Sequence, residues 1–228
     1  MSDSWLTQNA RLRSLILKNL FWVLPQSINE TNSVKTSMKR SWRLIEMNSL
    51  LAPTYSPISV KHNDPASPIR IKKTLAAMID GLNQDKRTLV FLCIGTDRST
   101  GDCLGPLVGT RLLQRGYELP VYGTLDDPVH ALNLSDKLEE IKNIHSDPFI
   151  VAIDACLGRS DRVGYINVKQ GALNPGTALN KDLPAVGDVH ISGIVNVGGF
   201  MEHIVLQNTR LSIVYSMAEV IYWGIIFS

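Results

Sequence analysis

Two short, uninterrupted apolar runs, residues 89–94 and 149–153, constrain this chain more than any other feature. A strand with water on one face alternates apolar and polar residues, whereas a strand with no polar residue must be covered on both faces. Such cover comes from helices that cross between parallel strands, and the surrounding sequence supplies them. Within residues 69–82, Ile71, Leu75, Met78, Ile79 and Leu82 recur at helical spacing, leaving Lys72, Lys73 and Asp80 for the wet side. Further helices are expected over residues 107–113, ending near Gly116, over 134–144, and over 211–221, where Leu211, Val214, Ala218 and Ile221 share a side. Residues 121–123 read as a short strand and 163–168 as an antiparallel edge strand. The resulting fold class is α/β, a three-layer α/β/α domain on a mostly parallel sheet whose first strand begins near Leu89. Residues 171–187, with Pro175-Gly176 and Pro184, read as a loop long enough to suggest function.

This alternation starts only at about Ser59. Residues 1–58 carry seven Lys or Arg against three acids, and 59–228 carry sixteen against eighteen, so a net charge of +2 hides +4 and −2. The first part is rich in Ser, Thr and Asn, with one apolar run, 12–24, broken by Arg13 and Lys18. That run is too short to span a bilayer and lacks the continuous apolar centre of a secretory signal. An interfacial helix or an acid-poor presequence are readings it allows. The expected one is a weakly ordered basic extension over 1–58, with the α/β/α domain over 59–228. No membrane partner is expected, and the mild charge, without a basic stripe interleaved with aromatics, argues against nucleic acid. Cys93, Cys103 and Cys156 have neither disulfide nor metal-finger spacing, which points to a reducing compartment, the cytoplasm.

Both apolar runs lead to an aspartate expected just past the strand end: Asp102 in Gly101-Asp102-Cys103-Leu104-Gly105-Pro106, and Asp154 in Ile153-Asp154-Ala155. Ligands of parallel α/β sheets gather outside the carboxyl ends of the strands, so the two acids are expected to converge on one cleft. A carboxylate pair there can share a proton and activate water, or hold a divalent metal. For Asp102, placed just before a helix with Pro in its first turn, N-capping is the structural alternative. The turn at Gly95 and Gly101 has neither P-loop nor G-x-G-x-x-G spacing, and its carboxylates would repel phosphate.

A third segment, Gly187-Asp188-Val189-His190-Ile191-Ser192-Gly193, holds the best-placed of five histidines. His190 reads as a metal ligand, a general base or a hydrogen-bonded loop residue. Asn196, before Gly198 and Gly199, could offer amide donors to an oxyanion. Arg159 could neutralise an acid or bind a substrate carbonyl, and Asp97 and Asp188 are second-rank acids. Cys103 and Cys156 lie beside the aspartates, but small buried thiols are the expected reading over nucleophiles.

Together these three segments resemble the spore germination protease family, and most closely its smaller YyaC-like sporulation relatives in endospore-forming bacteria, over about residues 60–225. The resemblance implies a phosphorylase/hydrolase-like α/β/α fold shared with hydrogenase-maturation endopeptidases. It implies an aspartate-pair peptidase in which Asp102 and Asp154 are catalytic, acting without cofactor on a protein or peptide substrate. The setting it implies is the cytoplasm of a sporulating cell or spore. In the hydrogenase-maturation relatives two acids and a histidine bind nickel, so a nickel or zinc hydrolase using Asp102, Asp154 and His190 is one alternative. A non-catalytic sporulation factor that binds protein is the other, and self-association is left open.

Overall fold

The structure, a computed structural model, describes residues 55–175 and 183–226. The apolar run at 12–24, nearly all of the basic extension and residues 176–182 of the long loop lie outside the described residues. In chain order the elements are β1 (Ile58–Lys61), α1 (Ser67–Leu82), β2 (Leu89–Cys93), a 3-10 turn (Gly101–Cys103) running into α2 (Leu104–Gln114), and β3 (Val121–Tyr122). There follow α3 (Leu134–Ile144), β4 (Phe149–Gly158), β5 (Tyr165–Gln170), β6 (Val189–Val197), α4 (Glu202–Gln207) and α5 (Leu211–Ile226). They form one six-stranded sheet in the order β1-β5-β6-β4-β2-β3. Strands β3, β2, β4 and β6 run parallel, while β5 is antiparallel to both β6 and β1.

The layers follow from side-chain alternation. Phe149, Val151 and Ile153 of β4 pack with Ile71, Leu75 and Met78 of α1, Leu104 and Val108 of α2, and Met217 and Ile221 of α5. Ile150 and Ala152 point the other way, to Leu134, Leu138 and Ile141 of α3. The apolar runs thus have no wet side, as their composition demands, and each fully buried aliphatic side chain adds about 1.5–3 kcal/mol. The stripe on α1 buries Ile71, Leu75 and Met78, the residues its spacing selects. No described helix is long and apolar enough to cross a membrane.

Four expectations need correction. The sheet begins with β1, well before Leu89; β1 pairs Ile58 to Lys61 against Val168 to Tyr165 and takes the edge from β5. In so short a strand only Val60 is fully buried, so no pattern announced it. A domain boundary at residue 58 therefore falls inside a strand, and the unit that holds the described residues is Pro53–Ser228. The glycine-laced stretch around His190 is not a loop but β6, with Val189, Ile191 and Val195 buried on one face. Finally, β4 runs on to Gly158, so Asp154 lies within the strand rather than beyond it.

Candidate functional site

Strands β2 and β4 stay in register from Leu89↔Phe149 to Cys93↔Ile153, and the Ile94 amide adds a last bond to the Ile153 carbonyl at 2.7 Å. At Gly95 the chain adopts φ +140°, a conformation that L side chains rarely adopt, and its amide donates to the Val129 carbonyl at 2.8 Å. The following loop closes on itself where the Thr96 amide donates to the Asp102 carbonyl at 3.2 Å. A Cβ at Gly105 would overlap the Ile94 carbonyl, so the glycine lets α2 sit hard against the end of β2. Those contacts fix Asp102 where β2 stops. Asp154 reaches the same level from β4, one residue past the last β2 rung and on the α3 side after Ile150 and Ala152. On β6, Ser192 stands opposite Asp154 and His190 opposite Ala152.

A cleft of about 640 Å³ opens at these strand ends. Thr96, Arg98, Ser99 and Asp102 form one wall, residues 154–157 of β4 the floor, and His190 with Ser192 the β6 side. Glu202, His203 and Gln207 of α4 close the rim.

The two carboxyls are both harder to ionise than ordinary ones. Burial raises the pKa of Asp102, partly offset by a hydrogen bond from the Thr96 backbone and the nearby charge of His130. Burial pushes Asp154 well above the usual range, the charge of Asp102 pushes it further, and a bond from the Ala155 amide to its Oδ1 at 2.8 Å opposes the shift. Asp154 therefore feels the charge of Asp102. Neither the 3-10 turn nor α2 has a side-chain N-cap, so the Asp102 carboxyl is not spent on capping.

His190 Nδ1 lies 2.7 Å from the Gly171 carbonyl, which can only accept, so Nδ1 carries the proton. Burial lowers the pKa of the ring, leaving it neutral near pH 7 with Nε2 as an acceptor. Among the described residues, no three His, Cys, Asp or Glu side chains are grouped to hold a metal ion. Asp102, Asp154 and His190 thus do not form a ready ligand set.

Of the remaining candidates, Cys156 alone is in the cleft lining. Asp97 is exposed and outside the cleft lining, with Thr96 Oγ1 at 3.4 Å. Arg159, with its side chain 84% exposed, pairs with Asp161 at 3.0 Å. Asp188 accepts from Arg87 and from the Ile150 amide, each at 2.8 Å, stapling the start of β6 to β4. Asn196 spends its amide on Thr209 Oγ1 at 3.1 Å and the Val205 carbonyl at 3.3 Å, tying β6 to the α4 region rather than facing an oxyanion. Burial pushes the Cys103 and Cys156 thiols up to about 11, which disfavours a thiolate nucleophile.

Sequence reasoning passed over Ser99, Ser192 and His203, all in the lining. Ser99 Oγ is buried and has no hydrogen-bond partner among the described residues. The signal for Ser192 was present: once residues 189–197 are taken as a strand, period-two alternation puts it on the His190 face.

Residues 59–224, which hold the aspartates, the cleft walls and His190, match a family described as protein of unknown function, DUF1256. The chain is also 51% identical over 167 residues to the uncharacterized protein YyaC of Bacillus subtilis (strain 168), across 73% of this chain and 80% of that relative. By the span of the one match and the identity of the other, the chain belongs to the DUF1256 family.

Proposed function

We propose that this protein is a hydrolase of peptide bonds that uses Asp102 and Asp154 as an acid–base pair on water. The observation that supports the reading is the unequal pair itself: two half-buried carboxyls in one cleft, Asp102 in the turn after β2 and Asp154 within β4, with Asp154 pushed further up because it is more desolvated and feels Asp102. Because Asp154 is the harder of the two to ionise, it is assigned the proton and Asp102 the charge. Asp102 takes a proton from the attacking water as its oxygen bonds to the scissile carbonyl carbon. Asp154 gives its proton to the departing nitrogen, and as the two products leave, the proton held by Asp102 passes to Asp154, directly or through water, which restores the pair. Neutral His190 offers Nε2 as an acceptor at the side of the cleft, and the Ser99 hydroxyl is a spare donor in the opposite wall.

The resemblance of the two aspartate segments to the spore germination protease family supports the same assignment and suggests a role in the cytoplasm of a sporulating cell or spore. The test is new chain ends. Wild type, Asp102→Asn and Asp154→Asn are each incubated with unfolded casein and with a peptide library, and products are read by mass spectrometry. Cleavage by wild type that falls by about 10²–10⁴-fold in each variant is expected. Turnover unchanged in both variants moves the chemistry elsewhere, and no cleavage by wild type leaves a protein-binding factor in its place.

A further inference from the structure

Strand β4 is longer than its neighbour. It pairs with β2 only as far as Ile153, whereas its pairing with β6 continues to Gly158. The direction of its main-chain groups can be followed on both sides of that gap. Ile153 turns its carbonyl toward β2, where it accepts from Ile94 at 2.7 Å. Gly158 turns its carbonyl the other way, accepting from Gly198 just past β6 at 2.8 Å. The β4–β6 pairing shifts register between Cys156 and Leu157, but the extra residue is Val195 on β6, so alternation is kept along β4 and directs the main-chain groups of Ala155 and Leu157 to the side that β2 has left. The Ala155 amide is met there by Asp154 Oδ1 at 2.8 Å. What is presented beyond it is the Ala155 carbonyl and the Leu157 amide.

The cleft lining agrees with this reading. Ala155 and Leu157 both line the cleft, together with Leu206 of the hydrophobic cluster they pack against and with Asp154 and His190 from the other face, so the cleft lies at the sheet edge here. In a parallel ladder one residue of the incoming strand donates to the residue before its opposite number and accepts from the residue after it. A residue placed opposite Cys156 would therefore bond the Ala155 carbonyl and the Leu157 amide at once. Beside the rim, Phe200, Met201 and Ile204 are exposed large apolar side chains around α4, suited to the alternate side chains of an extended chain.

We propose that the β4 edge at Ala155–Leu157 docks an extended polypeptide as an added parallel strand, laying one of its peptide units beside Asp102 and Asp154. The inference rests on the hydrolase reading for what happens at the end of that strand, and it names the substrate as unfolded or extended chain recognised through its backbone. Side-chain choice is then secondary, and a folded helix or loop is excluded by the pairing.

The experiment uses the full-length Asp154→Asn variant and a library of end-blocked, unstructured decapeptides, with bound members identified by mass spectrometry. The tightest binder is remade ten ways, each copy with one N-methylated amide. Binding is expected to weaken by roughly tenfold at one amide, or at amides two residues apart, and to be unchanged at those between, as one lost main-chain bond per site requires. Exchange of the Leu157 amide proton should slow in the complex. Weakening at no amide or at every amide, an unprotected Leu157, or a library with no binder overturns the proposal. The two readings fail separately: a binder with the alternating pattern that wild type leaves uncut sinks the hydrolase alone, while cut peptides without the pattern sink the docking edge alone.

Discussion

The amide of Ile94 meets the carbonyl of Ile153 at 2.7 Å, and no rung follows it between β2 and β4. Everything distinctive about the cleft follows from that stop. Gly95 turns the chain toward Val129, the loop returns Asp102 to the cleft wall near the end of β2, and β4 continues with Asp154 as its next residue. A parallel sheet that ended all its strands together would give neither carboxyl this desolvated position. The resulting cost to the charged forms is the source of both pKa shifts.

That cost gives a signed prediction for stability. Both carboxyls have folded-state pKa values raised above 3.8, so the native state binds protons more readily than the unfolded chain. The stability they confer is fully present below the ordinary carboxyl value and is lost as pH rises through the raised values. Asp154→Asn removes a titrating, desolvated acid. Its melting temperature should exceed that of wild type at about pH 8, and the gap should close as the pH falls toward about 4. Thermal melts of both proteins across that range check it, and a gap constant with pH would count against the buried-acid account.

Much of this site was legible before the structure, and the parts that were not have physical causes. The two apolar runs told the truth because burial on both faces leaves no room for polar residues, as Phe149 to Ile153 show. Helix α1 was readable because Ile71, Leu75 and Met78 keep its period. Strand β6 was hidden because its less buried face carries the polar residues His190, Ser192 and Asn196, with a glycine in mid-strand, rather than the usual β composition. Asp188 and Asn196 were misjudged for a related reason. Their polar side chains serve backbone groups that only the tertiary structure brings near, the Ile150 amide and the Val205 carbonyl.

Asp188 should therefore behave as a structural residue. Replacing it with Ala leaves the Ile150 amide without its acceptor and Arg87 without its partner, a loss of about 1–3 kcal/mol for a buried donor. Asp188→Asn, which keeps an acceptor oxygen, should lose less. Urea midpoints at constant slope measure both. Turnover or peptide binding that drops while the midpoint stays put would return Asp188 to the site.

Gly105 tests the seating of α2. An added methyl group meets the Ile94 carbonyl at overlapping distance, and backbone cannot rotate aside as a flexible side chain can. Gly105→Ala is expected to destabilise by about 1–3 kcal/mol, as overpacking does, despite the better helix propensity of Ala. Because α2 starts directly after the turn that holds Asp102, activity should fall further than the stability loss explains. Denaturant unfolding beside turnover separates the two effects, and a variant with wild-type values in both would show that the helix shifts freely.

The start of the domain gives the last prediction. A chain begun at Ser59 lacks Ile58, which pairs with Val168 at the sheet edge, and Tyr55, which packs against the main core and donates its amide to Gln170 Oε1 at 3.4 Å. Beneath Tyr55 lies Gly81 of α1, where no side chain could share the space. Both lost residues are only part-buried, so together they should cost about 1–3 kcal/mol by the apolar area they cover. A chain begun at Pro53 keeps them and should melt several degrees higher than one begun at Ser59. Equal melting of the two would mean that β1 adds nothing at Ile58, and that the edge of the sheet is β5 in practice, with the rest of β1 frayed.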